Sequence, residues 1–226
     1  MYLFLLFMLG TISASSAVCN AYRYCNHESY FKRSFCEYCY QPLKFWQLIP
    51  ILGYIFQFGH CSFCKHRIPL TSTFFELFYG LFFAYYFYYF PFTSVVYYVF
   101  FYAWFLLLAI EDYYTLTVNL DWLLGGIAIA LIWNFKIVVN CVDLYFIPSL
   151  ILALVLLFLT KFHLLGGADS IIFYFLFLLY GINSFIVIIS ACIVSIGFFI
   201  IKRTKKIAFI PSIFIAYFCC LFSNWI

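Results

Sequence analysis

Between Asp169 and Lys202 the chain runs for 32 residues without a single Asp, Glu, Lys or Arg. A stretch this apolar is read as membrane-crossing, because about 20 apolar residues span a bilayer as a helix. At 32 residues it is long for one helix and tight for two. The rest of the chain has the same character, at 68% hydrophobic and 9% charged with a mean hydropathy of +1.07, where soluble domains carry about a quarter charged residues. The expected fold class is an all-α polytopic membrane protein embedded in a lipid bilayer, and no nucleic-acid partner is expected.

Apolar segments at about 2–19, 73–91, 94–110, 118–134, 143–160, 170–181, 183–201 and 207–225 give about eight transmembrane helices. Residues 1–18 lack the basic start of a cleaved signal peptide and read as a retained first span. The chain thus divides into a first helix (1–19), a polar loop domain (20–72) and a membrane-embedded domain (73–226). Pro91 with Thr93 and Ser94 marks one hairpin turn, and Tyr180-Gly181-Ile182-Asn183-Ser184 marks another. With eight crossings and the N-terminus outside, eleven of the twelve Lys and Arg residues fall on one face, together with the loop 20–72 and the basic cluster 202–206. Only Lys136 lies opposite, and a bias of this kind assigns the basic face to the cytoplasm. Asp112 and Asp169 then share the cytoplasmic face, while Asp143 sits near the outer one.

The loop contains Cys36-Glu37-Tyr38-Cys39 and Cys61-Ser62-Phe63-Cys64, two CxxC pairs with 21 residues between them. Each CxxC turn offers two thiolates at one corner, and two such turns close a tetrahedral structural zinc site of zinc-ribbon type. Cys36, Cys39, Cys61 and Cys64 are the expected ligands, with Cys25 as a spare. In a reducing compartment a metal is favoured over disulfides. It would supply folding free energy to a loop with little core of its own.

Two carboxyl groups on one membrane face suggest acid–base chemistry. When carboxyls share a site, one works ionised and the other protonated, so that one takes a proton from water while the other hydrogen-bonds a scissile carbonyl. Gly166 and Gly167, just before Ala168 and Asp169, permit close backbone approach. A plainer reading makes Asp169 a favourable carboxylate at a helix N-terminus; no such benefit attaches to Asp112 at the end of its span. Glu111 competes with Asp112, Asp121 reads as a residue at the start of a span, and Glu76 as a buried, paired carboxyl.

Taken together these motifs resemble the type IV prepilin peptidases, the GxGD membrane aspartic proteases. The stretch from Cys36 to Cys64, "CEYCYQPLKFWQLIPILGYIFQFGHCSFC", and the following "HRIPLTSTFFELFYG" with Glu76 match the family's opening. "EDYYTLTVN" stands at the first catalytic motif, with Asp112 in place and Val118-Asn119 where Leu/Ile-Pro is usual. "GGAD" stands at the second, with Asp169 in place and Ala168 for the second glycine.

The resemblance implies catalysis by Asp112 and Asp169, with Gly166, Gly167 and Ala168 in the active-site loop. The substrates would be prepilin or pseudopilin precursors, cut behind their basic leader at the cytoplasmic face of a bacterial cell membrane. It further suggests the branch serving a competence pseudopilus. In some members it extends to N-methylation of the new N-terminus with S-adenosylmethionine. The rival readings are a transporter or channel component that uses its carboxylates for ions or protons, and a silent assembly scaffold docking partners through the zinc loop.

Overall fold

In the computed structural model, residues 1–30, 33–88, 90–202 and 207–222 are described. Among them the chain is helical, with isolated bridges at Phe35–Pro42 and His60–Arg67 and no strand. The helices are α1 (Tyr2–Cys25), α2 (Leu52–Phe56), α3 (Thr71–Tyr86), α4 (Phe92–Thr115), α5 (Leu120–Trp133), α6 (Phe135–Leu144), α7 (Phe146–Lys161), α8 (Gly167–Tyr180), α9 (Ser184–Lys202) and α10 (Ile210–Phe222). Two compact units divide inside α4, Met1–Leu107 and Leu108–Ile226. The sequence reading drew its boundary earlier, between the polar loop and residue 73.

The all-α membrane class is the observed one. Each of the eight apolar segments contributes a helix, but among the described residues only three runs are long and apolar enough to cross a bilayer unaided: Tyr2–Cys25, Ser94–Thr115 and Gly167–Ile201. A fourth arises if α5 and α6 count as one span broken by an 85° bend. Asn134 stands at that bend between the two helices, and its backbone N–H and side-chain amide both donate to the Ala130 carbonyl, at 3.0 and 2.9 Å.

At 180–184, where a hairpin turn is expected, the chain makes a single 3-10 turn, Gly181–Asn183, and the apolar run extends over 35 residues. At 1.5 Å per residue that is about 52 Å, against roughly 30 Å of hydrocarbon. The turn stays tight because the Ser184 hydroxyl donates to the Gly181 carbonyl at 2.7 Å and satisfies it within the chain. Gly181 has φ +56°, and a Cβ there would lie 2.9 Å from the Tyr145 ring. The basic residues 203–206, on which the charge argument leaned, lie outside the described residues.

In the first unit α1 and α3 run antiparallel, with the Tyr2 hydroxyl donating to the Phe90 carbonyl at 2.8 Å. Small residues make the contact, as membrane helices require for close packing. Gly10, Ala14, Ala17 and Ala21 are buried along one side of α1. A Cβ on Gly10 would sit 2.4 Å from the Tyr79 carbonyl oxygen, and one on Gly80 would sit 2.7 Å from Thr11. The Tyr79 hydroxyl donates to the Tyr102 carbonyl of α4 at 3.0 Å. Phe82, Phe83, Phe87, Tyr98 and Tyr102 pack ring on ring around it, which gives part of the 26% aromatic content a structural purpose.

In the second unit, Cys141 of α6 donates to the Phe177 carbonyl of α8 at 3.4 Å, and the Tyr180 and Tyr217 hydroxyls of α8 and α10 meet at 2.6 Å. Both contacts lie at the C-terminal end of α8, about 12 Å or more along the helix from Asp169. Asp143, two residues past Cys141 and exposed, therefore belongs to the opposite end of α8 from Asp169.

Candidate functional site

The two CxxC segments fold as matching knuckles. In the first, the Tyr40 N–H donates to the Cys36 carbonyl at 2.8 Å and the Cys36 N–H to Gln41 at 2.9 Å. In the second, Lys65 donates to Cys61 at 3.0 Å and Cys61 to His66 at 2.8 Å. The residue after each second cysteine turns the chain through a left-handed conformation, with φ 58° at Tyr40 and 62° at Lys65. Tyr38 of one knuckle stacks on His66 of the other, ring centroids 4.2 Å apart and 2° from parallel.

This brings the four thiols together, all within 4.8 Å of one another, in a group that could hold a metal ion. The Cys36–Cys64 and Cys39–Cys61 sulfur distances are 3.9 and 4.0 Å. A tetrahedron with metal–sulfur bonds of about 2.3 Å has edges of about 3.8 Å, so the cage is already the right size. Burial raises the Cys61 thiol, but the Cys64 and Phe63 backbone N–H groups and the neighbouring thiols outweigh it and bring it down to about 7. At Cys39 the Gln41 backbone lowers the thiol, while burial and the three other cysteines push it up to about 11. Cys25 lies outside the four-thiol group.

The acidic site is in the second unit. The last turn of α4 begins at Glu111-Asp112, both buried. Asp112 Oδ2 accepts the Ile210 N–H at 3.0 Å, and the Phe209 N–H is also directed at this carboxylate. These donors stand at the start of α10, where N–H groups have no helical partner and favour an anion. Phe209 also packs edge-on against Phe173 of α8, centroids 5.5 Å apart. Phe173 lies one turn beyond Asp169 on the same side of α8. The two carboxyl groups accordingly converge around residues 209–210 and interact through their charges.

Asp169 occupies the first turn of α8, with Gly166 as the residue before the helix. A Cβ on Gly166 would fall 2.7 Å from Asp169 Oδ2, so the carboxylate rests against bare backbone there. Gly167 differs, since a Cβ on it would meet nothing within 4 Å. Ala168 follows in the same turn, partly exposed. Of the two glycines behind the aspartate, Gly166 is the one whose missing side chain makes room.

Glu111 is a third carboxyl beside the pair. It is fully buried; Oε2 accepts the Asn119 N–H at 3.0 Å, and Oε1 has no hydrogen-bond partner among the described residues. Asn119 in turn caps α5 through the Asp121 and Trp122 N–H groups. Glu111 thereby fastens the turn from α4 into α5. Asp121 is exposed in the first turn of α5, where a carboxylate suits the helix dipole. Glu76 is buried and paired within the first unit, accepting the Ile51 N–H at 2.7 Å and the Ser72 hydroxyl at 3.0 Å.

Sequence reasoning missed Phe209 and Ile210. They act through backbone N–H groups, which every residue but proline carries. The one available signal was Pro211, a residue suited to a helix's first turn.

Residues 8–90 match the family described as the Bacterial Peptidase A24 N-terminal domain. The matched stretch is 83 of the chain's 226 residues. The match supports membership of the type IV prepilin peptidase family, as the motifs suggested. The match takes in most of α1, the four-cysteine group, α3 and Glu76, and ends before the helix that carries Asp112. No curated protein and no solved structure matches the chain.

Proposed function

We propose that the protein is an aspartic endopeptidase of the membrane that removes the basic leader from prepilin-like precursors, with Asp112 and Asp169 as its catalytic residues. The observation that carries this reading is the approach of the two carboxyls around residues 209–210, with Asp112 accepting backbone N–H groups and Asp169 resting on Gly166. Two carboxyls that share a site share a proton. Asp112, already a hydrogen-bond acceptor, is assigned the ionised role and Asp169 the protonated one.

In the proposed reaction Asp112 takes a proton from water as the water oxygen bonds to the scissile carbonyl carbon, while Asp169 donates a hydrogen bond to the carbonyl oxygen. The tetrahedral intermediate then collapses, its C–N bond breaks, and the departing amine leaves with the proton held at Asp112. The new acid and the new amine together account for the water consumed. Burial of Asp112 keeps bulk water from this exchange.

Zinc is the ion proposed for Cys36, Cys39, Cys61 and Cys64, since four thiolates at tetrahedral spacing leave no open position for substrate. Its contribution would be to hold the cysteine loop folded. The substrate's leader and apolar helix meet where the chain enters the bilayer, and cleavage is proposed at the cytoplasmic face.

The test is processing of a co-expressed prepilin-like substrate, followed by gel shift at matched membrane levels. Asp112→Asn and Asp169→Asn should each reduce cleavage by at least about 10²-fold, and Asp143→Asn should leave it unchanged. Full processing by either aspartate variant would overturn the proposal.

A further inference from the structure

The segment between the two cysteine knuckles is built rigidly, although it is short and has almost no apolar core. Gln47 and Gln57 are buried and bonded to each other at 2.9 Å; Gln47 also donates to the Ser62 hydroxyl at 2.9 Å, and Gln57 to the Gly53 carbonyl at 2.8 Å. Gly53 lies so close to this network that a Cβ would fall 2.3 Å from the Gln47 carbonyl oxygen. Ile51 turns the chain with φ 62° and ψ −54°, closed by a Leu52-to-Pro50 hydrogen bond of 2.6 Å. A β-branched residue resists that conformation, and such strain persists only where the surroundings enforce it. Glu76 enforces it by accepting the Ile51 N–H.

While its polar groups turn inward, the segment turns its apolar ones outward. Phe45 and Phe58 are 83% and 87% exposed, and Trp46, Leu52, Ile55 and Phe56 are exposed beside them. An outward apolar surface on a stiffened frame marks a contact site.

The depth at which it is held identifies the partner. Gly10 faces Tyr79 and Gly80 across the antiparallel α1–α3 pair, so one turn back along α3 Glu76 lies level with about Ser13–Ala14 of α1. The first charge on α1 is Arg23, which lies nine residues beyond Ala14, or about 13 Å along the axis. Ile51 is bonded to Glu76 and therefore sits well below the level of Arg23, beside the apolar stretch of a membrane-crossing helix. Basic residues flank the segment in the chain: Arg33 lies 5.7 Å over the Phe45 ring, Lys44 precedes it, and Lys65 and Arg67 follow.

We propose that residues 45–58 form a membrane-inserted wedge, their outward aromatic and aliphatic side chains seated at the headgroup–acyl boundary and the flanking Lys and Arg residues on anionic headgroups. The cysteine loop then lies on the bilayer instead of standing off from it. This inference needs only the membrane setting of α1 and is independent of the peptidase reading.

The test uses the full-length chain in liposomes containing phosphatidylglycerol, with Trp104, Trp122, Trp133 and Trp225 replaced by Phe so that Trp46 reports alone. Brominated acyl chains should quench Trp46 more strongly than aqueous iodide does. In the same chain lacking Trp46, a Tyr38→Trp reporter on the first knuckle, 66% exposed in the wild type, should show the reverse order. Iodide quenching of Trp46 equal to that of the knuckle reporter overturns the proposal. Shielding from both quenchers also overturns it and points to a protein partner, or to a second copy if the shielding varies with protein-to-lipid ratio. In an otherwise wild-type chain, benzoylphenylalanine in place of Phe58 should give a phospholipid adduct on illumination. Adducts to protein alone refute the wedge even if the single-tryptophan chain does not fold.

Discussion

Replacing Gly166 by alanine separates the chemistry of the acidic site from the stability of the fold. The new Cβ would stand 2.7 Å from Asp169 Oδ2, where ordinary contact begins at 3.4 Å, so the carboxylate must move by about 0.7 Å. The clashing atom is the free end of a side chain that can swing aside, and the fold should lose no more than about 1 kcal/mol, the scale of a poor residue at a helix cap. A misplacement of about 1 Å at a reacting group, by contrast, can cost about 10²-fold in rate. Gly166→Ala should therefore cleave a prepilin-like substrate about 10- to 100-fold more slowly while unfolding in detergent within a few degrees of the wild type. Gly167→Ala is the matched control, because its Cβ meets open space, and it should retain full activity. The assay is single-turnover cleavage by purified protein, with thermal unfolding measured on the same samples. Equal activity in the two variants, or a loss in Gly167→Ala as large as that in Gly166→Ala, would refute the assignment of Gly166 as the residue that seats Asp169.

Gly10→Leu would drive a side chain into the Tyr79 backbone and should destabilise the α1–α3 pair by at least about 1–3 kcal/mol, read as a lowered unfolding temperature. Cys36→Ser or Cys64→Ser should abolish stoichiometric metal binding by the purified protein, measured by elemental analysis. Metal retention should weaken on acidification, since binding displaces thiol protons. Between about 7 and 11 only Cys39 of the two shifted thiols must give one up, and below about 7 Cys61 must as well. The fall in apparent affinity should thus steepen below pH 7, by about a further tenfold per unit, in a chelator competition. Glu111→Ala leaves the Asn119 N–H without its acceptor and should cost about 1–3 kcal/mol. Glu111→Gln keeps an amide oxygen for that donor and should recover most of the loss by thermal unfolding.

The sequence by itself determined what depends on local spacing and on composition. Apolar runs longer than a bilayer is thick leave only a helical membrane protein. Two residues between paired cysteines dictate a turn that points both thiols one way, and the four thiols do gather as that rule requires. That Asp112 would need a hydrogen-bond partner was also legible, because a carboxyl group beside an apolar helix must offset its desolvation.

What the partners are was decided by tertiary structure alone. Asp112 takes its hydrogen bonds from residue 210, 98 positions away, through a backbone group that leaves no mark in the sequence. Gly166 and Gly167 are indistinguishable on paper, yet only the first has a carboxylate against its Cα. Tyr180-Gly181-Ile182-Asn183-Ser184 has the composition of a hairpin turn but holds its run of helix, because Ser184 satisfies the freed carbonyl inside the chain. Glu76 was readable as a buried carboxyl, but not as the group that holds a strained turn at membrane depth. Spacing along the chain fixes which groups must find partners, and the packing of helices distant in sequence decides which partners they find.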